Sequence, residues 1–300
     1  MISYGDLRKQ PRVDLADVIP LAAPFTVYVE PTNVCNLACD FCPQSLDDYK
    51  ERAGYHQHMP LPLFKRLMDE IWAMKVKSLK LYFFGEPLMH PEIGEMCRVA
   101  ALSCDRVELT TNLIPLTPAK AREIIESGIH YIRVSWYGEK EDRVRDNLRY
   151  LWELKAGRPL PHIAVKVTKE EDLPNGVFAD ELIVEQLHTI ASDFVHLKSY
   201  EENKKACPYP FYNLVVKSNG DVVPCCVAWD KSLVVGNVKD NTLAELWKSP
   251  RLEEIRLAHL KGERSALSAC ASCDTIFNCP DSVDTVSAEE YERRLPCPPS

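Results

Sequence analysis

The sequence predicts an α/β fold in which parallel strands alternate with helices, followed by a smaller cysteine-rich region of different character. Three observations carry this. Short apolar strands and amphipathic helical stretches alternate about six times between residues 25 and 200, and that order predicts parallel strands joined by right-handed crossovers. Beyond a polar linker, Glu201-Glu202-Asn203-Lys204-Lys205, the helical periodicity gives way to a hairpin pattern. Twelve cysteines are many for a chain that opens without a basic-plus-apolar leader, and they cluster, which points to metal binding in a reducing cytoplasm rather than to disulfides.

Taken in order, residues 1–24 carry Pro11, Pro20 and Pro24 and read as an N-terminal extension laid over the core. Residues 25–30 are the first strand, and the thiol-rich stretch 35–42 leaves its carboxyl end, where α/β folds place their ligand sites. From Pro60, the spacing of Leu63, Phe64, Leu67, Met68, Ile71 and Trp72 predicts an amphipathic helix. Residues 78–84 form a strand that stops at Gly85-Glu86-Pro87; Gly85 permits a close backbone approach and Glu86 puts a carboxylate at a strand end.

A helix over 91–103, a strand over 105–110 with Thr111-Asn112 at its end, and a helix opened by Thr117 as cap and Pro118 at its first position follow. Residues 131–135 are the next strand, ending at Ser135. The charged stretch 139–155 holds Val144, Leu148, Leu151 and Trp152 at helical spacing, so its charges read as a solvated face. A strand over 162–168, a helix over 177–190 and a sixth strand over 194–198 complete the alternation. The later region opens with Cys207. Residues 211–216 and 221–223 flank Asn219-Gly220, a hairpin turn pair, and deliver Cys225 and Cys226 at the far strand's end. Cys270 and Cys273 are spaced by two residues, with Cys279 six further on.

No apolar run approaches the ~18 residues of a membrane span. The balance of 36 basic against 44 acidic side chains, net −8, argues against nucleic acid and is compatible with a cationic small substrate, as it is with any acidic cytosolic protein. Cys35, Cys39 and Cys42 are soft ligands that select zinc, copper(I) or iron–sulfur clusters. A four-iron cluster takes four thiolates; three would leave one iron open to a substrate or cofactor, much as a catalytic zinc keeps an open position. A zinc knuckle completed by His56 or His58 is the alternative.

The spacing of these thiols, three residues then two, with Phe41 before the last, resembles the signature of the radical S-adenosylmethionine (SAM) superfamily. The resemblance implies an open, partial (β/α)6 TIM-like barrel over residues 25–200, with Cys35, Cys39 and Cys42 holding a [4Fe-4S] cluster and Phe41 beside it. It implies a SAM site in which Gly85-Glu86-Pro87 meets the methionine amino group and Ser135 the ribose. Thr111 and Asn112 belong to the same site, although Leu113 stands where the family often has Gly.

The C-terminal region, 201–300, resembles the twitch form of the SPASM auxiliary-cluster domain, a β-hairpin plus helix. Cys207, Cys225, Cys270 and Cys273 are the implied ligands of one auxiliary [4Fe-4S] cluster, and residues 235–238, 243–247 and 249–252 add to the likeness. A second auxiliary cluster would want a thiol four residues after Cys279, which the chain lacks. A four-cysteine zinc site is the alternative there.

The family chemistry is reductive cleavage of SAM to a 5′-deoxyadenosyl radical that abstracts a hydrogen atom from an unactivated C–H. The radical left behind is either oxidised to a ketone, with an auxiliary cluster taking the electron, or quenched by a thiol, giving epimerisation; Cys226 and Ser249 are the candidate hydrogen-donor positions. The layout resembles dehydrogenases and epimerases of aminoglycoside biosynthesis, which implies a small cationic sugar-type substrate and a flavodoxin- or ferredoxin-like reductant. SPASM enzymes that modify peptides or mature another enzyme are the second class. A non-enzymatic iron–sulfur or zinc protein is the third, and it leaves Gly85-Glu86-Pro87 unexplained.

Overall fold

A computed structural model describes residues 13–138, 140–172, 176–184, 204–271, 273, 275–279 and 281–295. Six strands, β1 (Thr26–Val29), β2 (Ser78–Leu81), β3 (Val107–Thr111), β4 (Tyr131–Ser135), β5 (His162–Val167) and β6 (Glu181–Val184), lie side by side in chain order, and each neighbouring pair is parallel. On the other side of β1, β7 (Asn213–Val216) adds in parallel, followed by β8 (Asp221–Val223) and β9 (Gly236–Asn237), both antiparallel to their neighbours. The sheet therefore runs from β6 to β9 without a break, and the cysteine-rich region continues the core sheet instead of forming a separate layer.

Crossover helices α1 (Leu61–Ala73), α2 (Ile93–Ser103), α3 (Pro118–Glu126) and α4 (Glu141–Lys155) connect the parallel strands. Along α1 the buried face is Phe64, Leu67, Met68 and Ile71, all fully buried, whereas Trp72 lies on the outer side, 69% exposed. Thr117 caps α3, its Oγ accepting from Lys120 N at 3.3 Å. The core beneath these helices is apolar and continuous, and includes the thiols Cys97 and Cys104, where free cysteine packs as a small hydrophobe.

One expectation is corrected. Where helical spacing suggested a helix over 177–190, residues 181–184 form β6, with Ala164 opposite Glu181 and Val167 opposite Val184. The run Leu182-Ile183-Val184 is apolar with β-branched residues, and the open edge of β5 offers a full row of backbone partners, which outweighs a short helical pattern. The rest of that stretch and the strand expected over 194–198 lie outside the described residues. The described part of the N-terminal segment packs on the C-terminal region, and Leu21 packs against the main core as well. Leu15, Ala16 and Ile19 pack with Phe211, Val283 and Tyr291, Arg294 donates to Ala16 O at 2.6 Å, and Trp247 Nε1 donates to Leu21 O at 2.9 Å. The first described residues thus clasp the C-terminal region.

Candidate active site

At the carboxyl ends of β1–β5 lies a cavity of about 470 Å³. It gathers Cys35, Cys39, Cys42, Phe41, Gly85, Glu86, Thr111, Asn112 and Ser135, nine positions singled out from four separate stretches of sequence. The loop bearing the thiols is held from several directions. Cys42 N donates to Cys39 O at 2.8 Å, and Asn112 Nδ2 donates to Asn36 Oδ1 at 3.0 Å, tying the loop to the end of β3. Gln44 Nε2 bridges Asn33 O and Phe84 O at 2.7 and 3.0 Å, so the loops after β1 and β2 are stitched together.

Gly85 sits in that seam. A Cβ there would stand 1.9 Å from Thr32 O and 2.7 Å from Asn33 Cα, so only glycine allows the two loops to touch. Glu86 is almost completely buried. Its carboxylate accepts from Thr111 Oγ (2.6 Å), Asn112 N (2.7 Å) and Leu88 N (2.9 Å), fixing the end of β2 against that of β3. Two carboxylate oxygens offer about four acceptor positions, so these three donors leave capacity for an ammonium group. Burial, the largest cause, raises the Glu86 carboxyl to about 7, against its three hydrogen bonds. Pro87 does not line the cavity; it opens the short turn behind Glu86 and is buried. Leu113, where the related motif carries Gly, has φ +63°. The glycine preference is therefore a backbone requirement, which this chain meets with a leucine whose side chain is buried in the core.

The thiols fit a cluster in chemistry as well as position. Burial raises Cys35 to about 11 and Cys42 to about 12, so unligated they are protonated, and a bound metal must draw off the protons.

Part of the cavity lining, which the sequence analysis did not anticipate, is charged. Lys80 Nζ is 3.0 Å from Glu108 Oε2 and Arg133 Nη2 is 3.2 Å from Glu108 Oε1, with Glu108 1% exposed. Tyr28 and Tyr82 flank Lys80, whose Nζ stands 5.6 and 5.7 Å from their ring centres, and Lys166 lines the same space. Burial alone would raise the Glu108 carboxyl, yet Lys80 and Arg133 together hold it down at about 2. Burial likewise works against the Lys80 ammonium, and Glu108 outweighs it. Among the described lining residues the cations are Lys80, Arg133 and Lys166, so the acidic balance of the whole chain does not extend to this wall.

A second cavity lies beneath the β7–β8 hairpin, lined by Cys207, Cys225, Cys270 and Cys273 together with His259 and Arg264. All four predicted thiols of the later region therefore face one space. Arg264 Nη1 donates to Cys270 O and Cys273 O, both at 2.8 Å, and so shapes the turn between the paired cysteines. His259 Nδ1 accepts from Cys207 N at 3.2 Å; burial, then the nearby Arg264, lowers the imidazole to about 4, so the ring is neutral. Cys279 is buried and is not among the residues lining this space, its Sγ lying 3.7 Å from Tyr212 Oη, and Cys297 lies outside the described residues.

Residues 29–157 match the family profile of the Radical SAM superfamily, and residues 207–274 match that of an iron–sulfur cluster-binding domain, SPASM. The chain carries a radical SAM domain followed by a SPASM domain. Among its relatives, an S-adenosyl-L-methionine-dependent 2-deoxy-scyllo-inosamine dehydrogenase of Niallia circulans is 22% identical over 88% of this chain and 96% of its own length. A PqqA peptide cyclase of Ruegeria pomeroyi is 25% identical over 87% of this chain and 82% of its own. In fold the chain resembles BtrN in complex with AdoMet and 2-DOIA, with a TM-score of 0.63, 20% identity, and coverage of 83% and 92%. It also resembles native anSMEcpe with bound AdoMet, with a TM-score of 0.57, 16% identity, and coverage of 90% and 95%.

This is a radical SAM enzyme, and its two domains imply SAM, a core [4Fe-4S] cluster and an auxiliary iron–sulfur centre. The two cavities adjoin. Tyr209, Val227 and Thr275 line both, and the chain passes between them at Cys225 and Cys226: Cys225 faces the auxiliary cavity, while Cys226 lines the radical SAM pocket. Ser249, the other candidate hydrogen donor, is not in the pocket. Its Oγ accepts from Leu252 N at 3.3 Å and caps the helix α5 (Pro250–Leu260). Because its hydroxyl serves a helix end, Ser249→Ala is expected to cost about 1 kcal/mol of stability and to leave 5′-deoxyadenosine formation unchanged, as thermal melts and a SAM cleavage assay would record. Among the described residues no helix is long and apolar enough to cross a membrane.

Proposed function

We propose that this enzyme abstracts a hydrogen atom from a hydroxyl-bearing ring carbon of an aminocyclitol- or sugar-type substrate and completes its two-electron oxidation to a ketone. The observation that carries the reading is the shared wall: a substrate in the pocket lies between the Cys35–Cys39–Cys42 loop and the residues Tyr209, Val227 and Thr275 that also bound the auxiliary cavity. Bound there, SAM and the core cluster would supply the hydrogen-abstracting radical, and the auxiliary cluster a one-electron acceptor.

In this reading Cys35, Cys39 and Cys42 hold the core cluster, while Glu86, Thr111, Asn112 and Ser135 orient SAM and Phe41 and Tyr137, packed edge to face at 5.1 Å, keep water from it. Cys207, Cys225, Cys270 and Cys273 hold one auxiliary cluster. The Niallia circulans relative, a dehydrogenase by name, supports the reaction class, and its substrate name supports the substrate class. A cationic substrate would present its hydroxyls, not its amines, to the Lys80–Arg133–Lys166 wall. A flavodoxin- or ferredoxin-like protein of the cytoplasm would be the reductant.

Epimerisation is the second reading, and one observation favours it: the Cys226 thiol lines the pocket. Anaerobic turnover in heavy water, with aminocyclitols, aminoglycosides and peptides each offered, separates the readings by product mass. Under the proposal an aminocyclitol or sugar loses two hydrogens, and Cys226→Ala retains that product to within about tenfold, the range expected of a contact that is not chemical. A deuterium on carbon that disappears in Cys226→Ala, while 5′-deoxyadenosine still forms, would establish epimerisation. Turnover of peptides alone would assign the chain to the peptide-modifying class.

A further inference from the structure

His259 is 1% exposed and lines the auxiliary cavity beside the four thiols. Its two ring nitrogens are unequal. Nδ1 is occupied as the acceptor of the Cys207 backbone N–H at 3.2 Å, so in the neutral ring the proton sits on Nε2. That Nε2–H is buried and has no hydrogen-bond partner among the described residues. A buried N–H without an acceptor forfeits its hydration with no return, and native structures rarely leave one unsatisfied. His259 thus both holds the backbone of a thiol ligand, Cys207, through Nδ1 and carries a buried donor with no partner among the described residues. The Arg264 guanidinium is committed through Nη1 to the Cys270 and Cys273 carbonyls.

We infer that His259 donates an Nε2–H···S hydrogen bond to the auxiliary iron–sulfur cluster and, by stabilising its reduced, more negative state, raises its reduction potential. The physical basis is general: the potential of such clusters follows their net charge, burial and the hydrogen bonds made to their sulfurs. His259 is thus a tuning residue, not a ligand, and touches no substrate. The inference rests on Cys207, Cys225, Cys270 and Cys273 holding a cluster, and is independent of which substrate is turned over.

The test is a potentiometric titration of the anaerobically purified, reconstituted full chain without substrate, followed by electron paramagnetic resonance. The signal of the auxiliary cluster is assigned by comparison with the Cys35→Ala/Cys39→Ala/Cys42→Ala protein. Three variants separate the two nitrogens. His259→Leu removes both, His259→Asn keeps a group near Nδ1 that can accept from Cys207 N, and His259→Gln keeps an N–H near Nε2.

The electron affinity of the auxiliary cluster is expected to fall about tenfold in His259→Leu and His259→Asn, which for a one-electron couple is a shift of ~59 mV to lower potential, and to return most of the way in His259→Gln. An exchangeable proton coupled to the reduced auxiliary cluster should be present in wild type and His259→Gln and missing in the other two. If His259→Leu fails to hold its auxiliary iron, the Asn and Gln variants decide alone. A potential restored by Asn and not by Gln would mean that the Cys207 contact is what matters, and an unchanged potential in all variants would mean no hydrogen bond to the cluster; either overturns the inference. Failure of every candidate substrate would overturn the proposed reaction and leave these potentials untouched.

Discussion

Replacing Cys39 with Ala is expected to reduce 5′-deoxyadenosine formation to background and to lower the iron content of the anaerobically purified protein from about eight atoms per chain to about four. Cys39 lines the pocket between Cys35 and Cys42 on a loop that Asn112 and Gln44 hold in place. With one of three thiolates gone, two irons would lack protein ligands, and no other thiol among the described residues of the pocket belongs to the same loop. Cys35→Ala and Cys42→Ala should behave alike. The complementary Cys270→Ala should lose the other half of the iron and still cleave SAM, because Cys270 faces the auxiliary cavity alone. Iron and sulfide analysis beside a SAM cleavage assay checks all four. A Cys39→Ala protein that retained about eight irons and cleaved SAM would refute the ligand assignment, and a wild type holding about twelve would require a second auxiliary cluster.

What could be read in the sequence depended on how local its signal was. The three thiols lie within eight residues, and Gly85-Glu86-Pro87 is a tripeptide at a strand end, so both were legible before any fold was known. The parallel strands were legible because each is a compact apolar run between helical stretches. β6 was not, because Leu182-Ile183-Val184 satisfies either pattern over a few residues, and only the open edge of β5 decides it.

The Lys80–Glu108–Arg133 group shows a deeper limit. Each charge read alone is an ordinary solvated residue, and the three come from β2, β3 and β4. The available signal was that each stands between two apolar residues of a strand, and so is either paired or lining a site. His259 had no signal of this kind: it is one polar position on a helix end, and its importance appears only when Cys207, 52 residues away in sequence, is brought to its Nδ1. Ser249 shows the converse. Ser-Pro ahead of an apolar helix is a cap signal, and that local reading is the one its hydrogen bond to Leu252 N bears out.

Glu108→Gln should produce the largest loss of stability of any single change in the pocket wall. The carboxylate is 1% exposed and meets Lys80 at 3.0 Å and Arg133 at 3.2 Å; Thr110 Oγ adds a weaker contact at 3.4 Å. Removing its charge leaves two partly buried cations, 17% and 16% exposed, without their buried partner, and breaking a buried pair in this way costs roughly 3–5 kcal/mol, a fall in melting temperature of roughly 6–10 °C for a chain of this size. The sign of the pH dependence follows from the carboxyl held down at about 2. A depressed carboxyl contributes stability above its unfolded value of about 4.3 and loses it as the pH falls toward about 2. The gap between wild type and Glu108→Gln should therefore be full at pH 7 and narrow steadily below pH ~4. Adding Lys80→Met to Glu108→Gln should recover part of the loss, because one of the two stranded cations leaves with the carboxylate. If the double variant instead melted lower than Glu108→Gln by the full effect of Lys80→Met alone, Lys80 and Glu108 would act independently and the pairing that organises this wall would be disproved. A recovery would make Glu108 the residue that lets Lys80 and Arg133 line the pocket together, and SAM cleavage in the double variant, measured without substrate, would then separate that scaffolding role from the chemistry at the three thiols.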